Sequence, residues 1–175
     1  WPVTKNRPKM LLPVGDSTVI DRILTELEDD DRVEEVYVST NERFAEDFED
    51  HVAETGMEKP RLSIEDTAAE DEKFGVVGAL AQLVEREGID DEDLLVVAGD
   101  NLISFDLPEF IDAFESNDEP TLAAYDVGSY ERATSYGVVE LDGDEVIDFQ
   151  EKPDDPSSTL VSIACYAFPA DAIRF

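Results

Sequence analysis

Asp100 is the residue of this chain whose type and position most directly indicate chemistry. It lies in the segment Gly99-Asp100-Asn101, which follows an apolar run at residues 94–98 that is typical of a short buried strand. In open α/β sheets, ligands gather beyond the carboxyl ends of parallel strands, where a carboxylate can face a substrate or hold a metal ion. Gly, Asp and Asn also favour turns for backbone reasons, so the segment alone fits a plain turn equally well.

The few cations of the chain are informative because they are scarce. The sequence has 13 Lys and Arg against 45 Asp and Glu, yet Lys5, Arg7 and Lys9 lie within one short segment. Such a cluster indicates an anion site, with a solvated basic patch as the alternative. Further along the chain Glu151 and Lys152 are neighbours, and taken alone they fit a surface ion pair.

Alternating strands and helices are predicted to position these residues. A strand at residues 36–40 follows a helix for which Asp16, Ser17 and Thr18 are the candidate capping residues. Strands and helices that alternate at this spacing imply parallel βαβ units, and hence an α/β fold: a three-layer α/β/α sandwich around a mostly parallel sheet. Residues 136–150, with a turn at 142–144, predict an inserted β-hairpin, and residues 160–168 predict a last strand.

Length and charge limit the class of protein. A chain of 175 residues, 42% of them hydrophobic, is long enough for one domain with a core. The formal net charge of −32 repels nucleic acid and anionic membranes, and no apolar run has the roughly 20 residues that a membrane span needs. Repeated apolar runs argue against acidic disorder, so we expect a surface adapted to the very high salt of a halophile cytoplasm. Cys165 is expected to be a buried free thiol.

Motifs at four places in the chain are more specific together than any one of them alone. They are Arg-Pro-Lys-Met-Leu-Leu-Pro-Val at residues 7–14, Gly-Val-Val-Gly-Ala-Leu at 75–80, Gly-Asp-Asn at 99–101, and Tyr-Gly-Val-Val at 136–139 with Glu-Lys-Pro at 151–153. In this order they resemble the sugar-nucleotidyltransferase family, of the glucose-1-phosphate thymidylyltransferase and uridylyltransferase type. The resemblance implies a Rossmann-like nucleotide-binding half in residues 1–125 and the start of a sugar-binding half in residues 126–175.

The resemblance also implies an activity and the residues that perform it. The family transfers a nucleotidyl group from a nucleoside triphosphate to a sugar 1-phosphate and releases pyrophosphate. Lys9 and Asp100 would be catalytic, with Lys9 contacting the triphosphate and Asp100 holding Mg²⁺ beside the nucleotide. On the nucleotide side, the other implied contacts are Glu70 and Gly75. On the sugar-phosphate side, they are Gly137, Glu151 and Lys152.

Departures from the family pattern leave alternatives open. The family's Gly-rich phosphate loop would lie before Trp1 and its second metal-binding aspartate beyond Phe175, so we expect the chain to be truncated at both ends. Val76-Val77 replaces Thr-Ala, and Ile163-Ala164 stands where the family has Thr-Gly. The alternative function is a non-catalytic regulatory or assembly domain of the same fold, and an acidic mimic of nucleic acid is a weaker one. The base, the sugar and a homo-oligomeric state are left open.

Overall fold

The computed structural model describes residues 7–65, 75–89, 91–117 and 119–173. These residues form two compact units. The first holds the described residues up to Glu92, together with Gly99–Asp112 and Ile173, and the second holds Asp93–Ala98 and Ala113–Ala172. The division into nucleotide and sugar halves after residue 125 concerns function and stays a prediction.

The first helix begins with a capping box. Thr18, one of the three predicted candidates, is its cap: the Thr18 hydroxyl accepts a hydrogen bond from the Asp21 backbone at 3.3 Å, and the Asp21 carboxylate accepts one from the Thr18 backbone at 2.7 Å. Within the described ranges, no helix has the length and hydropathy of a membrane span. The α-helices are α1 Val19–Asp29, α2 Ala45–Thr55, α3 Gly75–Glu87, α4 Leu107–Asn117 and α5 Tyr130–Ala133.

The strands in the described part of the chain fall into three sheets. Two of these sheets are two-stranded and lie in the first unit, and the third is five-stranded and lies in the second unit. The strands are β1 Pro13–Val14, β2 Ser17–Thr18, β3 Val36–Asn41, β4 Pro60–Glu65, β5 Leu94–Val97, β6 Thr121–Asp126, β7 Gly137–Asp142, β8 Glu145–Glu151 and β9 Leu160–Phe168.

The first unit contains the predicted alternation of strands and helices. Strands β3 and β4 pair in parallel, and α2 connects them, so this part is a βαβ unit. The short strands β1 and β2 pair antiparallel just before α1. One core cluster joins the segment before β1 to α1, β3 and α2, and its buried members are Leu11, Ile20, Leu24, Val38 and Phe48.

The second unit differs from the predicted sheet in strand direction. Its strand order is β5-β9-β7-β8, with β6 also paired to β9, and the described pairings in it are all antiparallel. The α/β class holds, but the mostly parallel pairing is wrong here, because the distant strand β9 lies beside β5 and no local pattern reveals that partner. The residues of β5 are half-buried, not fully buried as expected.

The hairpin and the last strand match their sequence patterns closely. Strands β7 and β8 pair antiparallel as the predicted hairpin, and β9 has the predicted bounds of Leu160–Phe168. Cys165 in β9 is a free thiol that is 1% exposed, which agrees with its predicted burial. Burial raises the pKa of this thiol to about 11, so it is protonated and unreactive at neutral pH.

Candidate active site

Lys9 and Asp100 lie side by side in the first unit. The ammonium Nζ of Lys9 donates a hydrogen bond to Asp100 Oδ2 at 2.9 Å, across 91 positions of sequence. The two side chains are 63% and 43% exposed, so both can reach a ligand from solvent. The structure therefore joins the two residues that the resemblance assigned to catalysis.

Packing beneath this pair explains how the two segments meet. Lys9 begins a 3-10 turn, Lys9–Leu11, whose last residue is buried in the core cluster of the first unit. A Cβ built on Gly99 would lie 3.6 Å from Met10 Cγ and 3.9 Å from Ile20 Cδ1, which is ordinary van der Waals contact. Met10, which packs against that core cluster, is the chain neighbour of Lys9, and Gly99 is the chain neighbour of Asp100. The closeness of Met10 to the Gly99 position therefore brings the two charged residues together.

The predicted nucleotide contacts are described only in part. Gly75 is the first residue of α3, as expected for a segment that opens a helix. Glu70 lies outside the described residues, and its predicted role stays a prediction. Val76 and Val77 belong to the first turn of the same helix.

Gly137 and Glu151 face each other across the hairpin of the second unit. They are register partners in the antiparallel pair β7–β8. A Cβ built on Gly137 would lie 2.5 Å from Phe149 Cζ and 3.3 Å from Glu151 Oε2. Since real Cβ atoms are not found at the shorter distance, a larger residue at position 137 requires the Phe149 ring to move.

Lys152 follows Glu151 with an unusual backbone conformation. Its φ angle is 45°, in the left-handed region that non-glycine residues seldom adopt. The Lys152 backbone N–H donates to Tyr136 O at 3.0 Å, and its ammonium lies 2.8 Å from Glu151 Oε1. The structure thus brings together Gly137, Glu151 and Lys152, the residues predicted to contact the sugar phosphate.

The groups around Asp100 decide which kind of metal ion this carboxylate could hold. Among the described residues, no group of three or more His, Cys, Asp or Glu side chains could hold a metal ion by itself. Mg²⁺ usually keeps several waters and binds through one or two carboxylates together with substrate phosphates. A single, partly exposed carboxylate such as Asp100 fits that mode of binding.

Two features of the second unit were not predicted from the sequence. Phe149 lies on β8, and the tip of its ring is close to Gly137. Phe149 is two residues from Glu151, and this spacing on a strand was the sequence signal that could have identified it. Ala164 has a φ angle of 53°. Its position in the Ile163-Ala164 pair, where the family has Thr-Gly, was the available signal.

Comparison with known proteins gives a consistent picture. The family described as "Nucleotidyl transferase" matches residues 1–175. A protein named as a mannose-1-phosphate guanyltransferase from Sulfolobus acidocaldarius is 30% identical over 174 residues, which are 99% of this chain and 46% of that protein. The bifunctional protein GlmU of Methanocaldococcus jannaschii is 28% identical over 171 residues, 95% of this chain and 36% of that protein.

Solved structures agree with this fold. A glucose-1-phosphate thymidylyltransferase structure from Bacillus anthracis, in complex with sucrose, superposes with a TM-score of 0.82 at 22% identity, covering 99% of this chain and 67% of that one. The chain spans less than half the length of the two curated relatives above. Because the family matches residues 1–175 of this chain, the chain belongs to the nucleotidyl transferase family.

Proposed function

We propose that the protein transfers a nucleotidyl group from a nucleoside triphosphate to a sugar 1-phosphate and releases pyrophosphate. The observation that carries the proposal is the Lys9–Asp100 contact, in a chain that matches the nucleotidyl transferase family over its whole length. Relatives are named for guanyl and thymidylyl transfer to different sugar phosphates, so the proposal leaves the base and the sugar open.

The reaction places its main demand on charge and position. A phosphate oxygen of the sugar 1-phosphate attacks the α-phosphorus in line, and the bond from that phosphorus to the pyrophosphate oxygen breaks. The two reactants are anions that repel each other, so the protein must neutralise them and hold them in line. In a chain with a net charge of −32, few side chains are cations that can neutralise the phosphates.

Lys9 and Asp100 are proposed to handle the triphosphate. The Lys9 ammonium is paired with Asp100 at 2.9 Å, and a triphosphate is a more highly charged anionic partner for it. Asp100 would then be available to a divalent cation, for which we propose Mg²⁺. Such an ion would neutralise charge on the phosphates and help to orient them.

The hairpin residues are proposed to handle the sugar 1-phosphate. The Glu151 carboxylate can accept hydrogen bonds from sugar hydroxyls, and the Lys152 ammonium can pair with the phosphate. Both side chains are exposed, and Lys152 Nζ lies 2.8 Å from Glu151 Oε1. The left-handed backbone at Lys152 is supporting geometry, since such outliers persist where the surroundings fix them and often mark binding sites.

We also propose that the protein works in a cytoplasm of high salt concentration. The support is its charge, since 45 acidic residues against 13 basic ones create a self-repulsion that concentrated salt screens. An assay at low ionic strength would therefore start from a less stable protein.

The direct test is an assay of pyrophosphate release by the full-length protein in molar KCl. The donors are ATP, GTP, UTP and dTTP, and the acceptors are glucose 1-phosphate and mannose 1-phosphate. We expect release that needs Mg²⁺ and both substrates, with mixtures lacking the acceptor as the control for plain hydrolysis. Triphosphate binding with no release from any pair would contradict the proposal and favour a non-catalytic domain.

A further inference from the structure

One face of the β7–β8 hairpin brings two side chains close to Gly137. Gly137 pairs with Glu151 and Val139 pairs with Phe149, so Gly137, Phe149 and Glu151 project from the same face of the sheet. The two side chains converge on one point, since a Cβ at Gly137 would meet Phe149 Cζ at 2.5 Å and Glu151 Oε2 at 3.3 Å. The aromatic ring and the carboxylate therefore lie next to each other.

The Phe149 ring lies against the Gly137 position at its tip, and the residue is partly exposed to solvent. The atom nearest to the Gly137 position is Cζ, at the end of the ring, and the residue is still 45% exposed. An aromatic ring left this exposed beside charged groups offers an apolar surface to a ligand. Beside it stand a hydrogen-bond acceptor, Glu151, and a cation, Lys152, whose ammonium lies 2.8 Å from Glu151 Oε1.

These three chemistries match the three parts of a sugar 1-phosphate: a C–H face, hydroxyl groups and a phosphate. We propose that Phe149 is a further sugar-contacting residue, on whose ring the C–H face of the pyranose packs. Gly137 is then a positioning residue, because only a residue without a Cβ lets the ring occupy its place. The inference rests on the proposed function, and it gives Gly137 a positioning role in place of the direct sugar-phosphate contact that the resemblance implies.

A purely structural role for Phe149 makes a different prediction. An aromatic side chain that covers a glycine on a neighbouring strand can stabilise a hairpin without any ligand. For that role a large aliphatic side chain would serve nearly as well as a ring. For contact with a sugar, the flat face of the ring matters, so Tyr should replace Phe149 and Leu should not.

The first experiment compares Phe149→Tyr and Phe149→Leu in the full-length protein. We expect Phe149→Leu to raise the KM for the sugar 1-phosphate about two- to tenfold, the scale of one aromatic contact, with the KM for the triphosphate unchanged. Phe149→Tyr should stay near the wild-type value. The matched control is Ile147→Leu, an exposed apolar residue of the same strand that lies at its register irregularity, which should change neither KM.

A double-mutant cycle then tests the role of Gly137. Gly137→Ala should raise the KM for the sugar 1-phosphate in the wild-type background, because the new Cβ displaces the ring. In the Phe149→Ala background the same change should have little further effect, since no ring remains to displace. Equal fold-changes in both backgrounds would overturn the role given to Gly137. Thermal unfolding of each variant confirms that it is folded.

The outcomes separate this inference from the proposed function. No turnover by the wild-type protein with any substrate pair would overturn the proposed function and the inference with it. Normal turnover by the wild type, with the sugar 1-phosphate KM of Phe149→Leu unchanged, would overturn the inference alone. An equal rise in the KM of both substrates would also overturn it, because that result indicates a general structural defect.

Discussion

At the scale of single residues, two non-glycine residues among those the structure describes have a backbone in the left-handed region, and both lie in the second unit. Lys152 has a φ angle of 45° and Ala164 one of 53°. Ala164 lies in β9 between the residue that pairs with β7 and the residues that pair with β5, and its carbonyl accepts a hydrogen bond from the Ala98 backbone at 2.8 Å. The left-handed conformation therefore occurs where the strand changes partner.

Replacing Ala164 by glycine should stabilise the chain. A non-glycine residue in the left-handed region destabilises the folded chain by about 1–2 kcal/mol, and glycine removes this strain. Glycine also gives the unfolded chain more conformational freedom, which lowers the gain in stability by about 0.4–1 kcal/mol. We expect Ala164→Gly to raise the free energy of unfolding by about 0.5–1 kcal/mol in urea titrations. Ala167→Gly, a buried control in the same strand, should lower it, and a loss of stability in Ala164→Gly would contradict the backbone assignment.

Lys152→Ala should separate the two substrates. Removing the ammonium should lower kcat/KM for the sugar 1-phosphate about tenfold or more, the scale of a charge-assisted hydrogen bond, while triphosphate binding stays nearly unchanged. The measurement is steady-state kinetics of the full-length protein with each substrate varied in turn. Arg61→Ala, which removes an exposed cation paired with Glu35, is the control. Equal losses for both substrates would contradict the role given to Lys152.

Residue identities were easier to predict than residue conformations. The resemblance pointed to Lys9, Asp100, Gly137, Glu151 and Lys152, and the structure groups them as one pair and one trio. It did not point to Phe149, because an aromatic residue on an alternating strand is an ordinary feature. The contact of its ring with Gly137 is visible only once the strand register is known.

At the scale of elements, helix α1 is fixed at its first turn by a compact polar cluster. The Asp21 carboxylate accepts a hydrogen bond from the Thr18 backbone at 2.7 Å and lies 2.6 Å from His51 Nε2 on α2. Burial raises the pKa of Asp21, but the hydrogen bonds from the Thr18 backbone and the His51 side chain outweigh it, so the net pKa is lowered. The ionised carboxylate thus ties α1 to α2.

The lowered pKa of Asp21 predicts acid sensitivity. Since the pKa is lower in the folded chain than in the unfolded one, the stabilisation is complete above the ordinary carboxyl pKa and is lost as the pH falls through the folded value. Unfolding free energies measured from pH 6 down to pH 3 should therefore fall less steeply in Asp21→Asn than in the wild type. Asp29→Asn, at the other end of α1, is the control. Identical slopes for Asp21→Asn and the wild type would contradict this account.

Elements were predictable where their signals are local. The cap of α1 at Thr18, the β7–β8 hairpin and the bounds of β9 follow from capping chemistry, turn residues and apolar patterning within a few positions. Strand direction was not predictable in the second unit, because β9 pairs with β5 across more than 60 positions of sequence. Alternating strands and helices favour parallel pairing only while chain neighbours pair with each other.

At the scale of the whole molecule, net charge is the dominant property. A formal charge of −32 on 175 residues opposes compaction unless salt screens it. The screening length falls from about 10 Å at 0.1 M salt to about 3 Å at 1 M. The charge therefore predicts a protein whose stability depends strongly on ionic strength.

Thermal unfolding should report that dependence directly. We expect the unfolding midpoint to rise as KCl increases from 0.1 M to 2 M, because screening relieves repulsion that is stronger in the compact state. Sucrose at matched osmolality controls for effects of crowding and excluded solute. A midpoint that does not change with KCl would contradict the proposal of a high-salt environment.

The family could be predicted from the sequence because its motifs occur in order over the whole chain, and the match over residues 1–175 confirms it. The base and the sugar could not be predicted. The chain departs from the family pattern at Val76-Val77 and Ile163-Ala164, where the resemblance implies nucleotide and sugar contacts. The proposed chemistry instead rests on charged groups that any such substrate pair requires.

The central claim is that Asp100 lies at the centre of nucleotidyl transfer. The most direct measurement is the turnover of Asp100→Asn in the full-length protein, with saturating substrates and Mg²⁺ in molar KCl. The control is Asp112→Asn, whose carboxylate is paired with Arg32 in an exposed ion pair. We predict that Asp100→Asn lowers kcat about a hundredfold or more, as loss of one electrostatic transition-state contact does, while Asp112→Asn leaves it unchanged. Near-normal Mg²⁺-dependent turnover by Asp100→Asn would contradict the claim.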